Sequence, residues 1–321
     1  MDPLSPALLS LPPSRSAALP PCRSAARGTR FLTLPGSTIM RWQRGHRSQN
    51  VEDRRGSPVR RGAGIGLGGL AIMAVISLLM GQNPVNVLMQ LLGAASQGGV
   101  TASAPMSEAE MAAQEESYSF VNFVLDDAQK TWRELLPSAG ATYQDARLVV
   151  FRDATETSCG LGQSAMGPFY CPGDQQVYID LAFYDDLKER FGAPGDFAQA
   201  YVIAHEIGHH IQNLLGIEQQ VRAAQQRDPS GANELSVRME LQADCLAGVW
   251  GHSAAQRGLL EAGDLEEGLN AAAAIGDDRI QQQSTGRVSP ESFTHGSSAQ
   301  RMQWLRRGLE SGRVEGCETF K

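Results

Sequence analysis

The chain has 321 residues, 42% of them hydrophobic and 20% charged, with a net charge of −7; that is enough apolar material for one or two packed domains and too much for a disordered chain. The charge is uneven: residues 1–63 hold eleven arginines against Asp2, Glu52 and Asp53, a net +8, which leaves −15 for the remainder. The remainder has no basic run able to grip phosphates, which argues against nucleic-acid binding, and a basic head on an acidic body points to two environments.

Residues 1–39 are rich in Pro, Ser, Ala and Arg, keep no helical or strand period, and are expected to be disordered. Met40 then opens "MRWQRGHRSQNVEDRRG", and one explanation of the change is that translation begins at Met40. Residues 40–63 read as a basic cytoplasmic segment. No charged residue follows Arg61 until Glu108, and residues 64–81 are almost wholly apolar, long enough for one bilayer crossing. Arginines crowd the N-terminal side of this span, and no Lys or Arg follows it until Lys130. The positive-inside bias therefore keeps the N-terminus in the cytoplasm and exports the body, which makes the protein a single-pass membrane protein. A cleaved signal peptide ending near "TASAP" is the rival, disfavoured because Pro105 would follow the cut and the span is long for a signal. Residues 82–106 read as a linker.

The folded body is expected over residues 107–321. A helix covers the stretch from Ser107 to Leu136, with Phe120, Phe123, Val124 and Trp132 at helical intervals. "ARLVVF" (Ala146–Phe151) and "QQVYID" (Gln175–Asp180) read as strands, separated by a turn-rich loop or bent hairpin. From Asp196, a candidate N-cap after Pro194–Gly195, the chain reads as helices to its end. The class is α+β, mostly helical with a small sheet. The body's four cysteines, Cys159, Cys171, Cys245 and Cys317, suit two disulfides in an exported domain. Three pairings are possible. Cys159 with Cys171 would close a short loop, and Cys245 with Cys317 would tie a helix to the C-terminal tail.

The chemistry gathers in "YVIAHEIGHHIQNLL" (Tyr201–Leu215). Residues four apart share a helix face, so His205 and His209 can present both imidazoles to one zinc ion, with Glu206 beside them to take a proton from a water. Gly208 permits close approach of another element. His210 points elsewhere and is read as non-ligating. Zinc needs a third protein ligand, and "RMELQADCLAGVW" (Arg238–Trp250) offers Glu240, with Asp244 one turn on to hold a ligand histidine by its other ring nitrogen. Read without the HExxH motif, both would be surface carboxylates.

The segments "MRWQRGHRSQNVEDRR", "GPFYCPGDQQVYIDLAF", "AHEIGHHIQNLLG", "RMELQADCLAGVW" and "FTHGSSAQRMQWLRRG" together resemble the bacterial putative neutral zinc metallopeptidase family, from Met40 to the C-terminus. The resemblance implies a membrane-anchored, zincin-like domain with His205, His209 and Glu240 as metal ligands and Glu206 as catalytic base. The chain lacks the HExxHxxGxxH continuation, so it resembles the glutamate-ligand zincins. In "FTHGSSAQRMQW", Ser297 or Ser298 is a candidate helix cap with Gln300 in capping-box position to Ser297. His295, just before the cap, is either an oxyanion donor in a zincin site or a structural histidine.

The expected function is a zinc endopeptidase facing the periplasm or cell exterior, anchored in the bacterial cell membrane, with Gln175–Asp180 as an edge strand that aligns a peptide or protein substrate. The alternative is an inactive zinc-binding scaffold for envelope partners, in which Cys245 closes the metal shell as a fourth ligand. A metal-dependent amidase acting on cell-wall peptides is a third reading.

Overall fold

The computed structural model describes residues 40–57 and 106–320. Strands β1 (Val51–Asp53), β2 (Arg147–Phe151), β5 (Phe169–Cys171) and β6 (Gln176–Asp180) form one sheet in the order β1-β2-β6-β5. The first three of that order run parallel, and β5 pairs antiparallel with β6. The period of two sorts the strands' side chains: Leu148, Val150, Val177 and Ile179 enter the main core, while Val149, Phe151 and Tyr178 form a smaller cluster with Cys171 on the other face. A hairpin of β3 (Ala154–Thr157) and β4 (Gly160–Gln163) fills the turn-rich stretch.

Helices build the rest. The first long stretch is α1 (Glu108–Ala113) followed by α2 (Glu115–Leu135), whose Phe120, Val124, Leu125, Ala128 and Trp132 are buried. After the sheet come α3 (Phe183–Glu189), α4 (Asp196–Leu214), α5 (Ile217–Arg227), α6 (Ala232–Gln256), α7 (Asp264–Ala274), α8 (Asp277–Thr285) and α9 (Ser298–Ser311). Gly195, in a left-handed conformation, occupies the N-cap position of α4, and Asp196 is its first residue, so the expected aspartate cap falls one residue late. Ser297 and Gln300 do form the capping box at the start of α9. The core helices α4 and α6 cross closely at Gly208: a β-carbon there would lie 3.0 Å from the backbone of Ala243. Phe197 of α4 stacks on Trp250 of α6 at 5.9 Å. Both disulfides join the expected partners, Cys159–Cys171 across the hairpin and Cys245–Cys317 from α6 to the C-terminal tail.

Three expectations need correction. Gln175–Asp180 is not an edge strand: β6 lies between β2 and β5, and its Val177, Tyr178 and Ile179 are buried on both faces. Residues 40–57 do not stand apart from the body. Met40 is buried in the main core, β1 pairs with β2, and Trp42 packs edge-on against Phe120 at 5.2 Å. Among the described residues, the arginines read as a membrane flank have partners in the fold, including Arg41 with Glu261, Arg44 with Glu116, Arg47 with Glu115, and Arg55 with Asp53 under the ring of Tyr118. Residues 40–57 thus complete the sheet and core formed by residues 106–320. The expected span 64–81 lies outside the described residues; among those described, no helix is long and apolar enough to cross a membrane.

Replacing Gly208 with valine should force α4 and α6 apart. The expected loss is about 1–3 kcal/mol of folding stability, read from urea denaturation.

Candidate metal centre

Helix α4 places Tyr201, His205 and His209 at successive i, i+4 positions on one face. Helix α6 brings Glu240 and Asp244, also four apart, against that face. His205 Nε2 lies 3.1 Å from Glu240 Oε2, and His209 Nε2 lies 3.5 Å from Glu240 Oε1. One ligating atom from each of the three residues falls within 4.8 Å of the others. The expected ligand set therefore converges.

The ring nitrogens away from this point are each engaged. His205 Nδ1 is 2.8 Å from Asp244 Oδ1, and His209 Nδ1 is 2.8 Å from Gln212 Oε1. In each pair the imidazole Nδ1–H donates to the oxygen, which turns both Nε2 atoms toward Glu240; an Nε2 lone pair faces a cation once any proton there is given up. Asp244, fully buried, also accepts from Tyr201 Oη at 2.5 Å and from Arg301 of α9, with Nε to Oδ2 at 2.9 Å and Nη2 to Oδ1 at 3.0 Å. Arg301 is only 3% exposed, and its Nη2 is 4.0 Å from Glu240. Gln212 donates in turn to the Met239 carbonyl at 2.7 Å.

The electrostatics suit a cation. Glu206, Glu240 and Asp244 set three carboxylates against the one guanidinium of Arg301, so neutral histidines leave the site two negative charges. Burial opposes a charged His205, yet Asp244 and Glu240 overcome it and raise its pKa to about 10. Burial likewise opposes the anion of Glu240, but His209 and His295 hold its pKa well below the usual range. The field that retains a proton on His205 is one that a divalent cation can replace, because a ligand imidazole must give up that proton. Two imidazoles and one carboxylate are a donor set suited to zinc with an open position.

Glu206, 7% exposed, stays outside this hydrogen-bond network. His210 turns away, as expected, between Tyr170 Oη at 3.0 Å and the Gln144 carbonyl at 2.7 Å. His295 is not one of the converging ligands. Its half-exposed side chain is close enough to Glu240 for the two charges to couple, and Asp277 holds it, accepting from its backbone N–H at 2.7 Å and facing Nδ1 at 3.2 Å. Cys245 is committed to its disulfide and cannot serve as a thiolate ligand. Sequence reasoning missed Tyr201, Gln212 and Arg301. The first two sit one turn before His205 and one turn after His209, a spacing that signals them; Arg301 lies nearly a hundred residues away and carries no such signal.

A family profile described as putative neutral zinc metallopeptidase matches residues 40–320. The uncharacterized protein YpfJ of Escherichia coli (strain K12) is 53% identical over 290 residues, covering 88% of this chain and 99% of the relative. The uncharacterized protein Rv2575 of Mycobacterium tuberculosis (strain ATCC 25618 / H37Rv) is 44% identical over 200 residues, 59% of this chain and 66% of the relative. No solved structure matches.

Asp244→Asn keeps the shape of the buried carboxyl but loses its charge. It should weaken zinc binding by about 10–100-fold, measured by competition with a chromophoric chelator.

Proposed function

The chain belongs to the putative neutral zinc metallopeptidase family, and we propose that it is a zinc-dependent endopeptidase with a zincin-like catalytic body. The observation that carries this reading is the convergence of His205, His209 and Glu240, with Glu206 on the same helix as the two histidines and outside their hydrogen bonds. His205, His209 and Glu240 would hold zinc, which when bound supplies a Lewis acid for the peptide carbonyl and lowers the pKa of water toward about 7.

The chain's own residues do the rest. Glu206 takes the proton of the attacking water and returns it to the leaving amine. Asp244 fixes the tautomer and angle of His205, and Arg301 and Tyr201 hold Asp244 in place. His295, steadied by Asp277, donates to the carbonyl oxygen as charge develops there. Its pKa is raised by the Glu240 and Asp277 carboxylates beside it, which favours the donating form. The substrate aligns along β5 rather than β6: of the sheet's two edges, β1 and β5, it is β5 whose Tyr170 touches α4 through His210. An extended peptide or protein segment is the matching substrate.

The two disulfides support an oxidising compartment for the body. We place residues 40–57 in that compartment too, because they complete its sheet and core. The inactive-scaffold reading loses support because Cys245 cannot close the metal shell.

Glu206→Gln is the direct test. The purified variant should retain wild-type zinc content while kcat on a peptide library falls by about 10²–10⁴-fold. Cleavage at the wild-type rate would remove Glu206 from the chemistry.

A further inference from the structure

A second set of acids converges outside the metal centre. Asp196 opens α4, and Asp264 and Glu267 lie in the first turn of α7; one oxygen from each carboxylate falls within 4.8 Å of the others. Asp264 is fully buried, and its Oδ1 and both oxygens of Asp196 have no hydrogen-bond partner. The remaining contacts are backbone donors: Glu261 N–H to Asp264 Oδ2 at 2.8 Å, and Phe197 N–H to Glu267 Oε2 at 3.3 Å. Arg41, the nearest arginine in sequence to Met40, is bound instead to Glu261. Among the described residues no Lys, Arg or His pairs with any of the three. Burial and then its acidic neighbours push Asp196 up to about 6 and Glu267 up to about 7, and burial raises Asp264 as well. Two helix N-termini meet here, and their partial charges leave the carboxyls still short of a full positive charge.

One nitrogen is in place to supply it. Met40 is 3% exposed, and the Arg41 N–H donates to the Leu259 carbonyl at 2.7 Å, which fixes the chain's entry. The Met40 backbone N–H is among the donors that lower the pKa of Asp196, though it completes no hydrogen bond of ordinary geometry. In a chain that continues upstream this nitrogen is an amide with one N–H and no charge. In a chain that begins at Met40 it is an ammonium with three N–H groups and a full charge. The family match also begins at residue 40.

We infer that the Asp196–Asp264–Glu267 pocket is the receptor for a free α-ammonium on Met40, so that the working protein starts at this residue. The ammonium supplies three donors to carboxylate oxygens that otherwise lack them, and one positive charge to a pocket that has none. The pocket anchors the first turn of α4, and His205 lies nine residues on, about 14 Å along the helix. An upstream extension therefore deprives the ligand-bearing helix of its anchor. The amine has two sources: initiation at Met40, or hydrolysis of the Ile39–Met40 bond, in which one water adds across the peptide to leave a carboxylate on Ile39 and the amine on Met40.

The test uses the full chain with a protease recognition sequence inserted directly before Met40, compared before and after the cut. Cutting should raise the folded-to-unfolded ratio in urea by at least about tenfold, as expected for completing a buried ion pair. The new Met40 amine should resist acylation in the native protein and react once it is denatured. The gain should vanish in the Asp196→Asn, Asp264→Asn double variant; if that variant does not fold, the acylation result on the unmutated chain decides. An unchanged ratio, a freely acylated amine, or mature native protein that retains residues before Met40 would overturn the inference. So would excess calcium stabilising the uncut chain as much as the cut does, since that marks a cation site. Residues 1–39 detected in a pulse-labelled precursor assign the amine to hydrolysis, and their absence assigns it to initiation; either result accompanies a Met40 terminus and supports the pocket.

Discussion

The Asp244 carboxylate is the group on which the rest of the structure depends. It is fully buried and accepts from Tyr201 and His205 of α4 and from Arg301 of α9, while itself belonging to α6. A buried carboxylate without such partners would be expelled or neutralised. Three helices must therefore stay within hydrogen-bonding distance of one another. The close crossing at Gly208 and the Cys245–Cys317 link beside Asp244 serve that requirement. The same carboxylate decides which nitrogen of His205 faces Glu240. Packing and site geometry are one constraint here, and neither can be relaxed alone.

The readable parts of the site were those whose spacing lies within one helix. His205 to His209 and Glu240 to Asp244 are both i, i+4 pairs, so each half could be assembled without knowing how the helices meet. Arg301 could not, because its partners are set by a helix crossing. Tyr201 was within reach, one turn before His205, but an aromatic in an apolar run reads as core, and it is core as well as hydrogen-bond donor. The place of β6 was also legible in hindsight: Val177, Tyr178 and Ile179 make a continuous apolar run, which belongs to a strand covered on both faces. The three-residue β1 is too short for any period to show.

The charge asymmetry of the sequence has a counterpart inside the fold. A basic segment before an apolar span has the form of a positive-inside flank. Its arginines instead meet Glu115, Glu116 and Glu261, residues 68 to 220 positions away. A basic head and an acidic body need not face different surroundings when they are complementary surfaces of one fold. Most of these pairs are solvent-exposed and individually weak. What fixes the segment is the burial of Met40, the ring of Trp42 on Phe120 and the pairing of β1, with the charges setting register.

Helix α4 joins two negative sites of different kinds. At its first residue Asp196 faces Asp264 and Glu267; in its middle His205 and His209 face Glu240. In both places carboxylates, buried or half-buried, outnumber the basic groups that pair with them among the described residues. Coulomb attraction in a low-dielectric interior makes such an arrangement tolerable only with a compact positive charge at its centre. The donor types then say which charge suits each place. Two imidazole lone pairs and a carboxylate favour a divalent metal, whereas three carboxylates with no nitrogen ligand, set against the buried nitrogen of Met40, favour an ammonium that can donate in three directions. The apolar body of the helix between them, Ala200 to Ala204, keeps the two fields apart and holds them at a fixed separation.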